Sequence, residues 1–122
     1  MRKQFEAWAN KHLKHYQKVL LLDDHSLSFT FDPKMRASSY MEHAFHYPYK
    51  TTDIRYGQSA LDDFAKGDKE TVRRSLIHEL CHSITDPLYS KATDRYVAEQ
   101  TVAEERERLT DHIANVIISL AV

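Results

Sequence analysis

The chain has 122 residues, of which 42% are hydrophobic and 29% are charged, and these values predict one globular domain over residues 1–122. A formal net charge of −1 gives no general basic surface, so we expect no nucleic-acid partner. The longest apolar run is too short to span a bilayer, no apolar signal core follows the basic N-terminus, and Cys81 is the single cysteine. We therefore expect a cytoplasmic protein with no membrane partner.

The first half of the chain predicts one helix and a small sheet. Apolar residues at spacings of three and four predict an amphipathic helix over residues 3–21, which would cover one face of the sheet. Alternating apolar and polar residues predict three strands, over residues 27–31, 39–47 and 51–56. In the second strand, Met41 and Phe45 are expected on the buried face. Between Gly57 and Gly67 we expect only a short helical turn.

Two longer helices complete the predicted order. Apolar residues at helical spacing predict a helix over residues 69–85, with an N-cap candidate at Asp68 and a stop at Asp86 and Pro87. A last helix is predicted over residues 93–120, in one or two pieces. The predicted fold class is therefore α+β, with an N-terminal helix, a small three-stranded twisted sheet and two C-terminal helices.

The helix over residues 69–85 carries a His-Glu-x-x-His motif, formed by His78, Glu79 and His82. Residues four apart share one face of a helix, so both imidazoles can bind one metal ion. Zinc suits such ligands, because it accepts neutral imidazole nitrogen in a tetrahedral shell. Glu79 lies about 100° further round the helix, beside the metal, where it can take a proton from the water that the metal activates. The motif therefore predicts a Zn²⁺ site with Glu79 as the catalytic general base.

A catalytic zinc site needs three protein ligands and one open position, so the last helix is expected to supply the third. Glu107 shares a helical face with Thr110 and Ala114, whose small side chains would allow another helix to approach closely. We favour Glu107 for this reason. Glu105, which continues the stripe of apolar residues, and Glu104, which lies one turn before Glu107, stay open as alternatives.

Other polar residues have expected roles around this site. Asp111 could accept a hydrogen bond from the free ring nitrogen of His78 or His82 and so fix the ring. Tyr89 and His112 are candidates for the donor that stabilises the transition state, although for Tyr89 we favour a packing role. The remaining histidines are expected at surface or boundary positions, not as ligands: His12, His15, His25, His43 and His46, and also His112 if it is not the donor.

The segment from Glu107 to Ala114, together with the motif, resembles the gluzincin-type zincin metallopeptidases, including small phage and bacterial enzymes. In the thermolysin-type glutamate helix an aspartate follows the glutamate ligand by four residues, as Asp111 follows Glu107. Glu107 also follows His82 by 25 residues, a separation similar to that in such families. The resemblance implies a minimal zincin core over nearly the whole chain, and a zinc-dependent enzyme that hydrolyses peptide bonds in a protein or peptide substrate.

Two other functions stay open beside peptide hydrolysis. The same ligands could form a structural zinc site in a binding or regulatory module, with Cys81 as a fourth ligand, although a buried cysteine is more commonly a small core residue. The chain could also be a metal-free interaction protein whose catalytic site has lapsed. The sequence leaves the oligomeric state, the substrate and its cleavage preference open.

Overall fold

Seven elements follow one another in a computed structural model of the protein, which describes residues 1–36, 38–45, 50–93 and 99–120. They are α1 (Arg2–Val19), β1 (Ser26–Phe31), β2 (Met41–Phe45), β3 (Thr51–Tyr56), α2 (Gln58–Lys66), α3 (Lys69–Thr93) and α4 (Glu99–Ser119). Within these ranges, four helices and one mixed sheet form an α+β fold, which confirms the predicted class. None of the described helices combines the length and the apolar character that a bilayer crossing requires.

The sheet has the strand order β1-β3-β2. The central strand β3 pairs in parallel with β1 and antiparallel with β2, whose residue Met41 lies opposite Tyr56. The strands β1 and β3 lie where the sequence predicts them. The strand β2 begins two residues later than predicted and buries Met41 as expected, while residues 46 and 47 and the side chain of Phe45 fall outside the described part. Because the strand order places β3 in the centre, β2 lies at an edge of the sheet.

Aromatic side chains join α1 to the sheet. The ring of Phe5 on α1 packs edge-on against Phe29 of β1 and Tyr56 of β3, with centroid distances of 5.4 and 4.8 Å. The buried residues of α1 recur at spacings of three and four, so α1 covers one face of the sheet as predicted. The helix ends at Val19, two residues earlier than expected, because Leu21 adopts a left-handed φ of 59° that no helix can continue.

The segment between Gly57 and Gly67 is a nine-residue helix, α2, and not the short turn that the sequence predicts. Its residues Ala60 and Leu61 are buried in the core, which stabilises a length that is marginal for an isolated helix. Gly67 ends α2 with a φ of 90°, a conformation that suits glycine. The next helix, α3, begins with the expected cap, since Asp68 accepts hydrogen bonds from the backbone N–H and hydroxyl of Thr71.

The predicted stop at Asp86 and Pro87 is wrong, because α3 continues through Pro87. Proline cannot donate to the carbonyl one turn before it, which normally favours a helix end. Here contacts with α4 hold both sides of the proline. The hydroxyl of Thr85 lies 2.8 Å from that of Thr110, and the ring of Tyr89 lies under a guanidinium of α4. Tertiary packing therefore outweighs the local preference.

The same extension shifts the boundary of the last helix. The sequence predicts that this helix begins at residue 93, but Thr93 is instead the last residue of α3. The described part of the last helix, α4, begins at Glu99, and residues 94–98 fall outside the described ranges. Thus α3 and α4 are two separate helices that pack against each other along the face that carries the motif.

Candidate metal centre

The motif lies in the middle of α3, between α4 and the edge strand β2. Residues on the other side of α3 anchor it in the core: Val72, Leu76, Ile77, Leu80 and Cys81. The rings of His78 and His82, one helical turn apart, have centroids separated by 4.9 Å. Ligand atoms of His78, Glu79 and His82 all lie within 4.8 Å of one another. This cluster could therefore hold a metal ion.

Glu107 on α4 reaches the two histidines of α3. Its Oε2 lies 3.3 Å from Nε2 of His82 and 3.7 Å from Nε2 of His78. Small residues make this approach possible, since Thr110 and Ala114 on the same face of α4 are buried against the neighbouring helix. The structure therefore brings together the three side chains that the sequence suggests as metal ligands.

The other two glutamates that the sequence leaves open have different partners. The carboxylate of Glu105 accepts a hydrogen bond of 2.8 Å from Arg108, and that of Glu104 accepts one of 3.1 Å from Gln100. Both glutamates are exposed on α4. Of the three, Glu107 is the one whose carboxylate faces the motif.

A carboxylate lies beside Nδ1 of each imidazole ring. Nδ1 of His78 lies 2.7 Å from Oδ1 of Asp111, one of the two contacts that the sequence suggests for this aspartate. Nδ1 of His82 lies at hydrogen-bond distance, 3.0 Å, from Oδ1 of Asp86. Both contacts engage Nδ1, so each ring presents its Nε2 towards Glu107. The role of Asp86 is absent from the sequence prediction, although its position four residues after His82 is the spacing at which helical side chains meet.

The donor atoms fit a metal cation. Among the described residues, Oε2 of Glu107 is a buried carboxylate oxygen with no hydrogen-bond partner. It faces the Nε2 atoms of His78 and His82, whose lone pairs are left available when Nδ1 carries the ring proton. A buried anionic oxygen without a partner costs free energy, and a cation shared by the three atoms would remove that cost. Two imidazoles and one carboxylate are also a ligand set that zinc uses in catalytic sites.

Glu79 lies beside this cluster and is only 9% exposed. It lines the same cavity of about 300 Å³ as His78, His82 and Glu107. Burial raises the pKa of Glu79 to about 7, an effect that His82 opposes when its ring is protonated and that the carboxylate of Glu107 reinforces. A carboxyl group whose pKa lies near neutrality can both accept and release a proton under physiological conditions.

Asp86 links α3 to β2. His43 on β2 is half-buried, as a boundary position predicts. Its ring is turned inward: the side chain is 2% exposed, and its Nδ1 lies 3.0 Å from Oδ2 of Asp86. Burial opposes ionisation of Asp86, but hydrogen bonds from His43 and His82 outweigh it and hold the pKa of Asp86 below its usual value. Burial also lowers the pKa of His43. A neutral His43 that donates to an ionised Asp86 therefore fixes this carboxylate next to His82.

The burial of His43 has a structural origin that the sequence does not show. The strand order places β2 at the sheet edge next to α3, and the rings of His43 and His82 stack with a centroid distance of 5.4 Å. Nε2 of His43 also lies 3.4 Å from the hydroxyl of Ser83, which is itself hydrogen-bonded to buried Thr52. Alternation along β2 places His43 on the same face as Met41, which is the one local signal that points to burial.

The two candidate donors for the transition state lie away from the cavity that holds Glu79. The hydroxyl of Tyr89 donates to Glu99 at 3.0 Å, and His112 is exposed on α4. Neither lines the cavity, whereas Arg106, which the sequence does not suggest, does. The position of Arg106 next to Glu107 in the chain does not indicate that both face the same cavity, because adjacent helical residues face different directions.

Cys81 lies in the hydrophobic core and is fully buried. Burial raises the pKa of its thiol to about 12. A metal-binding cysteine must be a thiolate, so these surroundings favour the role of a small core residue over that of a fourth ligand.

Comparison of the chain with protein-family models, curated proteins and solved structures found no match. One fold can host many unrelated functions. The function of this chain must therefore be inferred from the side chains around the cavity.

Proposed function

We propose that the protein is a zinc-dependent metallopeptidase. One observation carries the proposal: the otherwise unpartnered Oε2 of Glu107 lies 3.3 Å from Nε2 of His82 and 3.7 Å from Nε2 of His78. Ligand atoms of the two histidines and of Glu79 also lie within 4.8 Å of one another. Zinc enzymes use this set of ligands with a neighbouring glutamate as the general base.

The exposure of the cluster favours catalysis over a structural metal site. The side chain of His78 is 26% exposed and that of Glu107 is 47% exposed, and both line a cavity of about 300 Å³. A structural zinc site is closed by four protein ligands, whereas a catalytic site keeps one position for water or substrate. The cavity leaves room for a peptide bond to reach the cluster.

His78, His82 and Glu107 would hold a zinc ion, which would supply Lewis acidity by lowering the pKa of a water molecule to about 7 and polarising the carbonyl group of the scissile peptide bond. The Glu79 carboxylate takes one proton from the water as its oxygen bonds to the carbonyl carbon. The π electrons of the carbonyl group move to the carbonyl oxygen. The electron pair on that oxygen then re-forms the C=O bond while the C–N bond breaks and its electrons pass to nitrogen. Glu79 gives the proton to this leaving amine. Asp86 and Asp111 hold the imidazole rings in position throughout.

The edge strand β2 is the proposed binding surface for the peptide backbone. Within the described residues, β2 pairs with β3 along one side. Met41 and His43 of β2 line the same cavity as Glu79. A substrate could therefore add a strand along the other side of β2, with its scissile bond close to the general base.

The first experiment measures the metal content of protein purified without added metal and its hydrolysis of a mixed peptide library. We expect about one zinc ion per chain and cleavage by the wild type. Glu79→Gln should keep the zinc and lose turnover, because the amide cannot accept the proton. Full activity of this variant would show that Glu79 is not the base.

A second set of variants tests the ligands directly. His78→Ala, His82→Ala and Glu107→Gln should each lose zinc, because each removes one donor. Glu105→Gln is the matched control, since Glu105 is an exposed glutamate of the same helix that pairs with Arg108. Stoichiometric zinc in both histidine variants, or equal zinc loss in the two glutamate variants, would contradict the ligand set.

A further inference from the structure

Arg106 lies at the rim of the proposed catalytic site with its donors unused. Its side chain is 24% exposed, and its Nη1 and Nη2 lie 3.8 Å from Oδ1 of Asp86 and Oε1 of Glu107 respectively. These distances are longer than those of hydrogen bonds. Its Nε is buried and has no hydrogen-bond partner among the described residues. Arg106 therefore lines the cavity that holds Glu79, and also the neighbouring groove that contains Tyr89. Its Nη donors lie near two carboxylates at distances longer than hydrogen bonds.

The guanidinium group is held in place before any ligand arrives. Its central carbon lies 4.1 Å from the ring centroid of Tyr89, and the hydroxyl of Tyr89 is in turn bonded to Glu99. Cation–π stacking on Tyr89 and the two nearby carboxylates, Asp86 and Glu107, restrain the position of the charge. A fixed charge in a partly buried cavity is well suited to stabilise a negative charge that appears during a reaction.

The buried Nε of Arg106 is closed to a ligand in the cavity. Nη1 and Nη2 form only long ion pairs of 3.8 Å with Asp86 and Glu107, so a ligand oxygen that becomes negative can accept a hydrogen bond from one of them. In peptide hydrolysis such an oxygen forms at the scissile carbonyl, when the π electrons of the C=O bond move onto oxygen. Tyr89 and His112, the other candidates for this role, do not line the cavity.

We propose that Arg106 is a catalytic residue that donates a hydrogen bond to the substrate carbonyl oxygen as that oxygen becomes negative. The inference rests on the proposed peptidase function. Arg106 transfers no proton in this step, because guanidinium stays charged at every working pH. The proton of the attacking water still passes to Glu79 and then to the leaving amine, so the balance of the reaction is unchanged.

The test compares Arg106→Ala and Arg106→Lys with Arg108→Ala. Arg108 is the matched control, because it is an exposed arginine of the same helix that pairs with Glu105. We expect Arg106→Ala to lower kcat by about 100- to 1,000-fold, the effect of removing one oxyanion donor, with little change in KM for the best-cleaved library peptide. Added guanidinium chloride should restore part of the activity of Arg106→Ala. Arg106→Lys should keep an intermediate kcat, since it retains the charge but not the planar fork, and Arg108→Ala should behave as wild type.

Binding measurements separate this role from a purely structural one. We expect all three variants to bind zinc as tightly as the wild type. A phosphonamidate analogue of the peptide, which places a charged oxygen where the oxyanion forms, should bind Arg106→Ala more weakly by the same factor as the loss in kcat/KM. A hydroxamate analogue, which binds mainly through the metal, should lose much less affinity.

Several results would overturn the inference. An Arg106→Ala variant with wild-type kcat would do so, and so would a variant whose activity is lost through weaker zinc binding and returns fully at saturating zinc. The latter result would mean that Arg106 only positions Glu107 and Asp86. If Arg106→Ala does not fold, the folded Arg106→Lys variant provides the test. Wild-type values of both kcat and phosphonamidate affinity in that variant would also overturn the inference. A wild-type protein that binds zinc and cleaves no peptide overturns the proposed function, and this inference with it.

Discussion

Replacing Glu79 with glutamine should change the stability of the zinc-free protein in a manner that depends on pH. Glu79 is 9% exposed, and burial raises its pKa from an ordinary value of 4.5 to about 7. Burial therefore penalises the ionised carboxylate. Glutamine has nearly the same shape and carries no charge, so Glu79→Gln removes this penalty while keeping the packing.

The magnitude follows from the two pKa values. A tenfold change in proton affinity is worth about 1.4 kcal/mol, so a pKa of about 7 in place of 4.5 corresponds to roughly 3 kcal/mol. Between pH 4.5 and 7 the folded chain binds more protons at Glu79 than the unfolded chain does. The free energy of unfolding of the wild type therefore falls as pH rises through this window, and the penalty is complete above it.

We expect Glu79→Gln without zinc to be more stable than the wild type by roughly 3 kcal/mol at pH 8, and by about 1 kcal/mol or less at pH 5. Urea unfolding in the presence of a chelator, at several pH values, measures the difference. The single tryptophan, Trp8, provides the signal, since its ring packs against Phe64. Exposed Glu105→Gln is the control and should show little dependence on pH.

Two outcomes would refute this reasoning. If the wild type and Glu79→Gln keep a constant difference in stability from pH 5 to pH 8, the Glu79 carboxyl group is not penalised by burial. If Glu79→Gln is less stable at pH 8, the ionised carboxylate makes favourable contacts that outweigh its burial. Either result would also remove the physical basis for a general base with a pKa near neutrality.

Two further predictions concern the contacts around the site. Asp111→Asn should weaken zinc binding by about 10- to 100-fold, because it removes the carboxylate that lies beside Nδ1 of His78. Competition with a chelator measures the zinc affinity. An unchanged affinity would argue against a role for this contact. Thr110→Val should lower the free energy of unfolding by about 1–3 kcal/mol, because the buried hydroxyl of Thr85 loses its partner. Replacing both threonines with valine should recover part of that loss in urea unfolding, and a double variant less stable than the single one would contradict the explanation.

Local sequence patterns predicted much of the secondary structure and the motif. The strands β1 and β3 lie where alternation places them, because a period of two relates neighbouring side chains directly. The same reasoning places His78 and His82 on one face of α3, since only the helical period is involved. Asp86 could have been recognised in this way too, because it lies one helical turn after His82.

Long-range packing determined what these patterns could not. The helix α3 continues through Pro87 because α4 contacts it before and after the proline, at Thr85 and at Tyr89. The burial of His43 follows from the strand order, which sets β2 beside α3. Alternation along β2 indicates the face on which His43 lies, but no spacing in the chain encodes its contact with α3 or the contacts on either side of Pro87.

The sequence by itself determined the α+β class and the two histidines and glutamate that share one helix. Only the tertiary structure decided that Glu107, and neither Glu104 nor Glu105, faces them, and that Arg106 enters the same cavity. The physical reason is that the helical period fixes angles within one helix. The distance between two helices depends instead on how their small residues pack, and at this site those residues are Thr110 and Ala114.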